Sequence, residues 1–220
     1  MSRCYWQMLT KLQTPGVENP TLLDGDMMTR AQAEKNGENV VLGAFQFSEF
    51  QLMLFYGDPK DAAERAIKNG NSYFDLNWGH PDNGLDAFHR GVALYVAARQ
   101  TRKLKYARHA KRIRATLTDW QKRGNPNVTY FVTYLDAEQA ALEKKYDKAE
   151  EFYKKAITFV GRAGYLNHAA LFNELYSDFL RRERKDFADA EYRMNEAIRY
   201  YRLWGALGKV DILEKKTIAG

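Results

Sequence analysis

The chain has 220 residues, 45% hydrophobic and 14% aromatic content, five prolines and a formal charge of +6, which supports a continuous core and excludes a disordered segment. Its single cysteine, Cys4, excludes an intrachain disulfide and any multi-cysteine zinc site and points to a reducing, cytoplasmic setting. Long runs rich in Ala, Glu, Lys, Leu and Arg predict an all-α chain, and a single helical array over 1–220 is the simplest organisation.

The first residues lack the charged region, apolar block and small-residue cleavage site of a signal peptide. Residues 1–13 read as a short helix with Tyr5, Met8, Leu9 and Leu12 on one side. Pro15-Gly16 and Asn19-Pro20 mark a loop over 14–25, and a second short helix is expected over 26–35. Gly37-Glu38-Asn39 closes one element and opens the next. The helix over 39–56 is apolar around most of its circumference, which places it between neighbours. Gln46, Ser48, Glu49 and Gln51 within it argue for burial in protein rather than in a bilayer, so no membrane span is expected.

At Gly57-Asp58-Pro59 the expectation is a left-handed Gly57, an N-capping Asp58 and Pro59 in the first turn of a helix over 60–74. Asn77-Trp78-Gly79-His80-Pro81 reads as a loop. Leu85, Phe88, Val92, Tyr95 and Val96 then form one stripe of a helix ending near Arg99, and Tyr106, Ala110, Ile113, Leu117 and Trp120 share a face of the following one. Gly124-Asn125-Pro126-Asn127 stops that helix and offers Asn127 as a cap for the next.

From residue 128 the chain duplicates itself. Tyr146, Ala149, Glu150, Ala156 and Ile157 recur forty-one places on as Phe187, Ala190, Glu191, Ala197 and Ile198. Helices are expected over 128–144, 146–160, 166–184 and 187–201, with Trp204-Gly205-Ala206 as a stop and a closing helix over 208–217. Such a period encodes helical hairpins that bury their apolar faces by stacking on one another. Ala149, Ala156, Ala190 and Ala197 let paired helices approach closely, so a bulky replacement such as Ala197→Leu should overpack the joint by ~1–3 kcal/mol, checked by the midpoint of thermal unfolding.

The segment from Tyr146 through Ala149, Tyr153, Ala156 and Ile157 resembles the second helix of a tetratricopeptide repeat, and Phe187 to Ile198 resembles it less fully; the period exceeds the usual length of about thirty-four. A wider resemblance rests on Gly164-Tyr165-Leu166, Ala170-Leu171, Asn173-Glu174-Leu175, Tyr200-Tyr201, Trp204-Gly205-Ala206, Lys209-Val210 and Leu213-Glu214. Cys4-Tyr5-Trp6-Gln7 and Phe55-Tyr56-Gly57-Asp58 add to it more weakly. These residues are similar to the helical region of large signalling proteins, in which a kinase-like domain and a STAND/AAA-type ATPase module precede the helices and GAF, histidine-kinase or nucleotide-cyclase domains follow them. Where that family often has His-Glu, this chain has Asn167-His168, so no role of that pair carries over. The resemblance implies a right-handed superhelical, tetratricopeptide-like α-solenoid of antiparallel helix pairs: N-terminal helices and loop over 1–38, divergent pairs over 39–124, two clearer repeats over 127–204 and a cap over 206–217. It further implies a non-catalytic interaction scaffold or sensor segment, or alternatively part of a multidomain ATPase, kinase or nucleotide-cyclase enzyme whose catalytic domains lie outside these residues.

The sequence contains no phosphate-cradling glycine loop followed by Lys-Ser or Lys-Thr. His80, His89, His109 and His168 do not form the one-turn pairs of helical zinc sites, and Asp24-Gly25-Asp26 lacks the remaining ligands of a calcium loop. Glu174 and Asp178 share a helical face, as paired acid-base carboxylates or as solvated acids. No cofactor or metal is implied, and no catalytic residue. Between Arg99 and Arg123 there are ten Lys or Arg and one acid, Asp119. Arg102, Lys105, Arg108, Lys111, Arg112 and Arg114 therefore project a positive field, either as an ordinary solvated helix face or as a surface suited to an acidic protein or neighbouring domain, less so to nucleic acid or anionic lipid.

Overall fold

Gln7 decides how the chain begins. In the computed structural model, which describes residues 3–35, 39–76 and 82–219, helix α1 (Arg3–Gln13) buries Cys4, Gln7, Met8 and Leu12. The Gln7 amide donates to the carbonyls of Leu23 and Met28, and its oxygen accepts from the N–H groups of Met27 (2.9 Å) and Met28 (3.1 Å). One buried side chain thus satisfies four backbone groups of a loop. This turns α1 away from the predicted stripe, so that Tyr5 and Trp6 face outward. It also holds residues 26–28 out of the helix predicted over 26–35. Helix α2 is Arg30–Lys35, opened by a reciprocal cap in which Thr29 N–H donates to Gln32 Oε1 (2.8 Å) and Gln32 N–H to Thr29 Oγ1 (3.2 Å).

Helix α3 (Asn39–Tyr56) buries Phe45, Phe50, Leu52 and Phe55 and lies against α1 and α2. After it, Gly57 does not take the left-handed conformation predicted from sequence. A Cβ there would stand 2.6 Å from the Met53 carbonyl oxygen, so the glycine serves a close backbone approach instead. Asp58 Oδ1 accepts from Lys60 N–H at 2.8 Å, and Pro59 opens α4 (Pro59–Asn69). The single helix predicted over 60–74 is split, because Gly70 turns at φ 53° before α5 (Ser72–Leu76). Helix α6 (Asp82–Thr101) packs on α3, α4 and α5. It is buried around nearly its whole circumference from Asn83 to Arg99, not along one stripe. The breaks predicted at Gly37-Glu38 and at Asn77 to Pro81 lie outside the described residues.

Contacts divide the chain into two compact units, Met1–Ile113 and Arg114–Gly220, and the boundary falls within α7 (Leu104–Lys122). Among the described residues every regular element is helical and no strand occurs. In the second unit a short 3-10 turn (Pro126–Val128) precedes α8 (Thr129–Leu142). Asn125, not Asn127, does the capping: its side chain accepts from Asn127 N–H at 3.0 Å. There follow α9 (Tyr146–Ala163), α10 (Leu166–Phe179), a π-helical turn (Leu180–Arg184), α11 (Phe187–Trp204) and α12 (Leu207–Ala219).

Helix α8 packs on α9, α10 on both α9 and α11, and α12 on α11. Ala149, Ala156, Ala190 and Ala197 are all fully buried. Gly205, at φ 87°, ends α11, with Ala206 N–H donating back to the Tyr201 carbonyl at 2.9 Å. Between the helices runs an aromatic core: Tyr134 stacks on Phe172 (4.1 Å between ring centroids) and Tyr153 on Tyr176 (5.0 Å).

Candidate functional site

Helix α7 carries most of the charge that the sequence singles out, but Arg102 stands before it, in the joint at φ 59°, and not on its face. In the first unit Arg102, Lys105, Arg108, Lys111 and Arg112 are exposed. Lys105 pairs with Glu64, which also accepts from the Tyr106 hydroxyl at 2.5 Å. These hydrogen bonds, Lys105's first, hold the Glu64 carboxyl below its usual range. In the second unit Arg114 pairs with Asp136. Two of the six predicted cations are thus taken up by acids of their own unit. Among the described residues Arg108 and Lys111 have no ion-pair partner and keep their charge toward solvent. Trp204 is half-buried at the end of α11, beside Gly205, and its ring tilts against Tyr201 at 6.4 Å.

Glu174 and Asp178 do not act as a pair. Glu174 accepts from the buried Lys209 (2.7 Å) and from the Tyr201 hydroxyl (2.7 Å), while Asp178 is held by Arg182. Lys209 reaches across from α12, so this acid fixes the closing helix. Two further acids are more deeply buried: Glu138, not singled out from the sequence, and Glu49, already expected to be buried in protein. Glu138, fully buried in α8, accepts from the hydroxyls of Tyr153 (2.8 Å) and Tyr134 (3.2 Å). Glu49 in α3 receives both Arg30 and Arg65. The signal for each was an acid inside an otherwise apolar helix run. Among the described residues no three His, Cys, Asp or Glu side chains gather as a metal site, and no helix is long and apolar enough to cross a membrane. His80 lies outside the described residues.

His168 sits among Tyr130, Phe131 and Phe172, with ring centroids 5.5, 5.5 and 6.0 Å away. Burial there disfavours the charged ring and pushes its pKa down from 6.5 to about 4. Between these values the unfolded chain binds a proton that the folded one refuses. Stability from this group is therefore complete above pH 6.5 and is lost as pH falls toward 4, by about 2 kcal/mol between pH 7.5 and 5. Urea unfolding at both pH values should show that loss in the wild type and a smaller one, by the same margin, in His168→Phe. Equal pH dependence in the two proteins would refute this assignment.

Beside that cluster, Thr129 and Thr133 of α8 and Lys155, Thr158, Phe159, Arg162 and Ala163 of α9 line a groove of about 620 Å³. Phe159 is 44% exposed and stacks on Tyr130 at 5.6 Å, and Tyr165 stacks on Tyr130 at 5.3 Å. The hydroxyls of Thr133 and Thr158 donate to their own helices, to the Thr129 and Lys154 carbonyls. Lys155 and Arg162 remain as the groove's charged donors. Comparison of the chain with protein families, with curated proteins and with solved structures finds no match. The sequence signal for the groove was the spacing of Lys155, Thr158, Phe159 and Arg162, which share one face of α9.

Proposed function

We propose that this chain is a non-catalytic protein-protein interaction scaffold, or sensor segment, of a signal-transduction assembly. The observation that supports it most is the second unit's construction from duplicated helix pairs whose buried polar groups close on one another. Glu138 is engaged by two tyrosines and Glu174 by Lys209 and Tyr201, which leaves the outward helix faces to meet a partner. On this reading α8 to α11 are tetratricopeptide-like pairs in a right-handed superhelical stack, a form that presents an extended surface to a protein partner or adjacent signalling domain. Nucleic acid is the weaker partner, since Lys105 and Arg114, two of the six cations, are already paired internally.

The second reading, a segment of a multidomain ATPase, kinase or nucleotide-cyclase protein, draws support from one detail. Glu174, Tyr201 and Lys209 all belong to the stretch whose sequence resembles signalling proteins, and they meet in one hydrogen-bonded cluster. Affinity purification of the full chain and of Arg108→Glu/Lys111→Glu tests the scaffold reading. The expected result is a specific protein partner whose recovery drops in the double variant, both substitutions being on exposed side chains. An inert monomer that recovers no specific protein would overturn it.

A further inference from the structure

The groove between α8 and α9 has a definite chemistry. Its lining holds two cations and no carboxylate. Asp136, on α8 beyond Thr133, is engaged by Arg114, and Glu151, one turn before Lys155, lies outside the lining. Among the described residues neither Lys155 nor Arg162 has an ion-pair partner. Seven residues of helix separate them, so their stems leave α9 about 10 Å apart along its axis. Between them, one turn from each, the exposed Phe159 offers an apolar ring already fixed on one side by Tyr130.

We infer that this groove binds an acidic, extended peptide segment of a protein partner: two carboxylates four positions apart, with an apolar side chain midway between them set against Phe159, so that all three side chains share one face of the segment. Four positions of extended chain span about 13 Å, which the long, flexible Lys155 and Arg162 side chains can bridge from stems about 10 Å apart. A salt link at each end fixes register, and the central apolar contact supplies desolvated area. Nucleic acid suits the groove less well. Two cations give few phosphate contacts, and the aromatic rings stack on one another. The inference rests on the scaffold reading but is tested without it, because the probe is a synthetic peptide rather than a captured partner.

The probe is a fluorescein-labelled peptide carrying two glutamates four positions apart with a leucine midway between them, titrated with the full-length chain by fluorescence anisotropy. Binding is expected at low salt and should weaken as ionic strength rises. Lys155→Glu and Arg162→Glu should each weaken it about fivefold or more, and Phe159→Ala by a similar factor, while the same peptide with glutamines in place of the glutamates should not bind. Helical content by circular dichroism controls for folding; Lys155 and Arg162 are exposed, so the charge-reversed variants are expected to keep it. Three results overturn the inference: no saturable binding by a folded chain, binding indifferent to all three variants, or preferential binding of a single-stranded oligonucleotide of equal charge. Any of these alongside successful partner recovery would remove the groove and leave the scaffold reading standing.

Discussion

Glu49→Ala is expected to destabilise the protein by about 3–5 kcal/mol, measured by urea unfolding of the full chain. Glu49 is 3% exposed in the middle of an apolar helix, and its carboxylate receives Arg30 from α2 and Arg65 from α4. Three helices therefore converge on one acid. Arg30 is further committed by its position over the Phe45 ring, 5.2 Å from the centroid, and by its backbone N–H, which donates to Asp24. Removing the carboxylate leaves two guanidinium groups without their shared anion, Arg30 keeping only the more distant Glu34 at 4.0 Å. That loss exceeds the value of the pair itself, because both cations must find water or unfold their helices. A double-mutant cycle with Arg65→Met should give a coupling of about 1–3 kcal/mol. An unfolding midpoint unmoved by Glu49→Ala would show that the arginines are solvated without it, and the account of the first unit's core would have to be withdrawn.

The same residue shows where sequence reading reaches its limit. Periodicity places the long helices well: α3, α9 and α11 begin at or within a residue of expectation, and α10 with its π-helical turn spans the whole predicted 166–184 segment. The errors fall where a tertiary hydrogen bond or a single backbone angle decides. Gln7 pins a loop across sixteen or more residues of sequence, which no local pattern announces, and α2 is shortened as a result. Gly70 breaks a helix that the apolar spacing alone would continue. The basic face of α7 is legible as composition, but its internal consumption by Glu64 and Asp136 is not, since those acids lie on other helices. The α8–α9 groove escaped notice for a related reason. Only the fold sets Phe159 against Tyr130 between Lys155 and Arg162.

In the second unit the larger loss is expected from Tyr153. This side chain is fully buried; its ring stacks on Tyr176 at 5.0 Å and leans on Phe179 at 5.2 Å and Tyr134 at 5.5 Å, and its hydroxyl donates to Glu138. Tyr153→Ala empties the centre of that cluster and withdraws a donor from a buried carboxylate, costing about 3–5 kcal/mol. Tyr153→Phe keeps the ring and removes the donor alone, costing about 1–3 kcal/mol. The difference between the two variants isolates packing from hydrogen bonding. Tyr134→Phe provides the matching comparison: it removes the longer of the two hydroxyl contacts to Glu138, 3.2 Å against 2.8 Å, and should therefore cost less than Tyr153→Phe. If the phenylalanine and alanine variants at 153 unfold at the same urea concentration, the aromatic stack contributes nothing and the core is held by the carboxylate network. If both unfold with the wild type, Glu138 is satisfied from elsewhere and Tyr153 is not the centre of the unit.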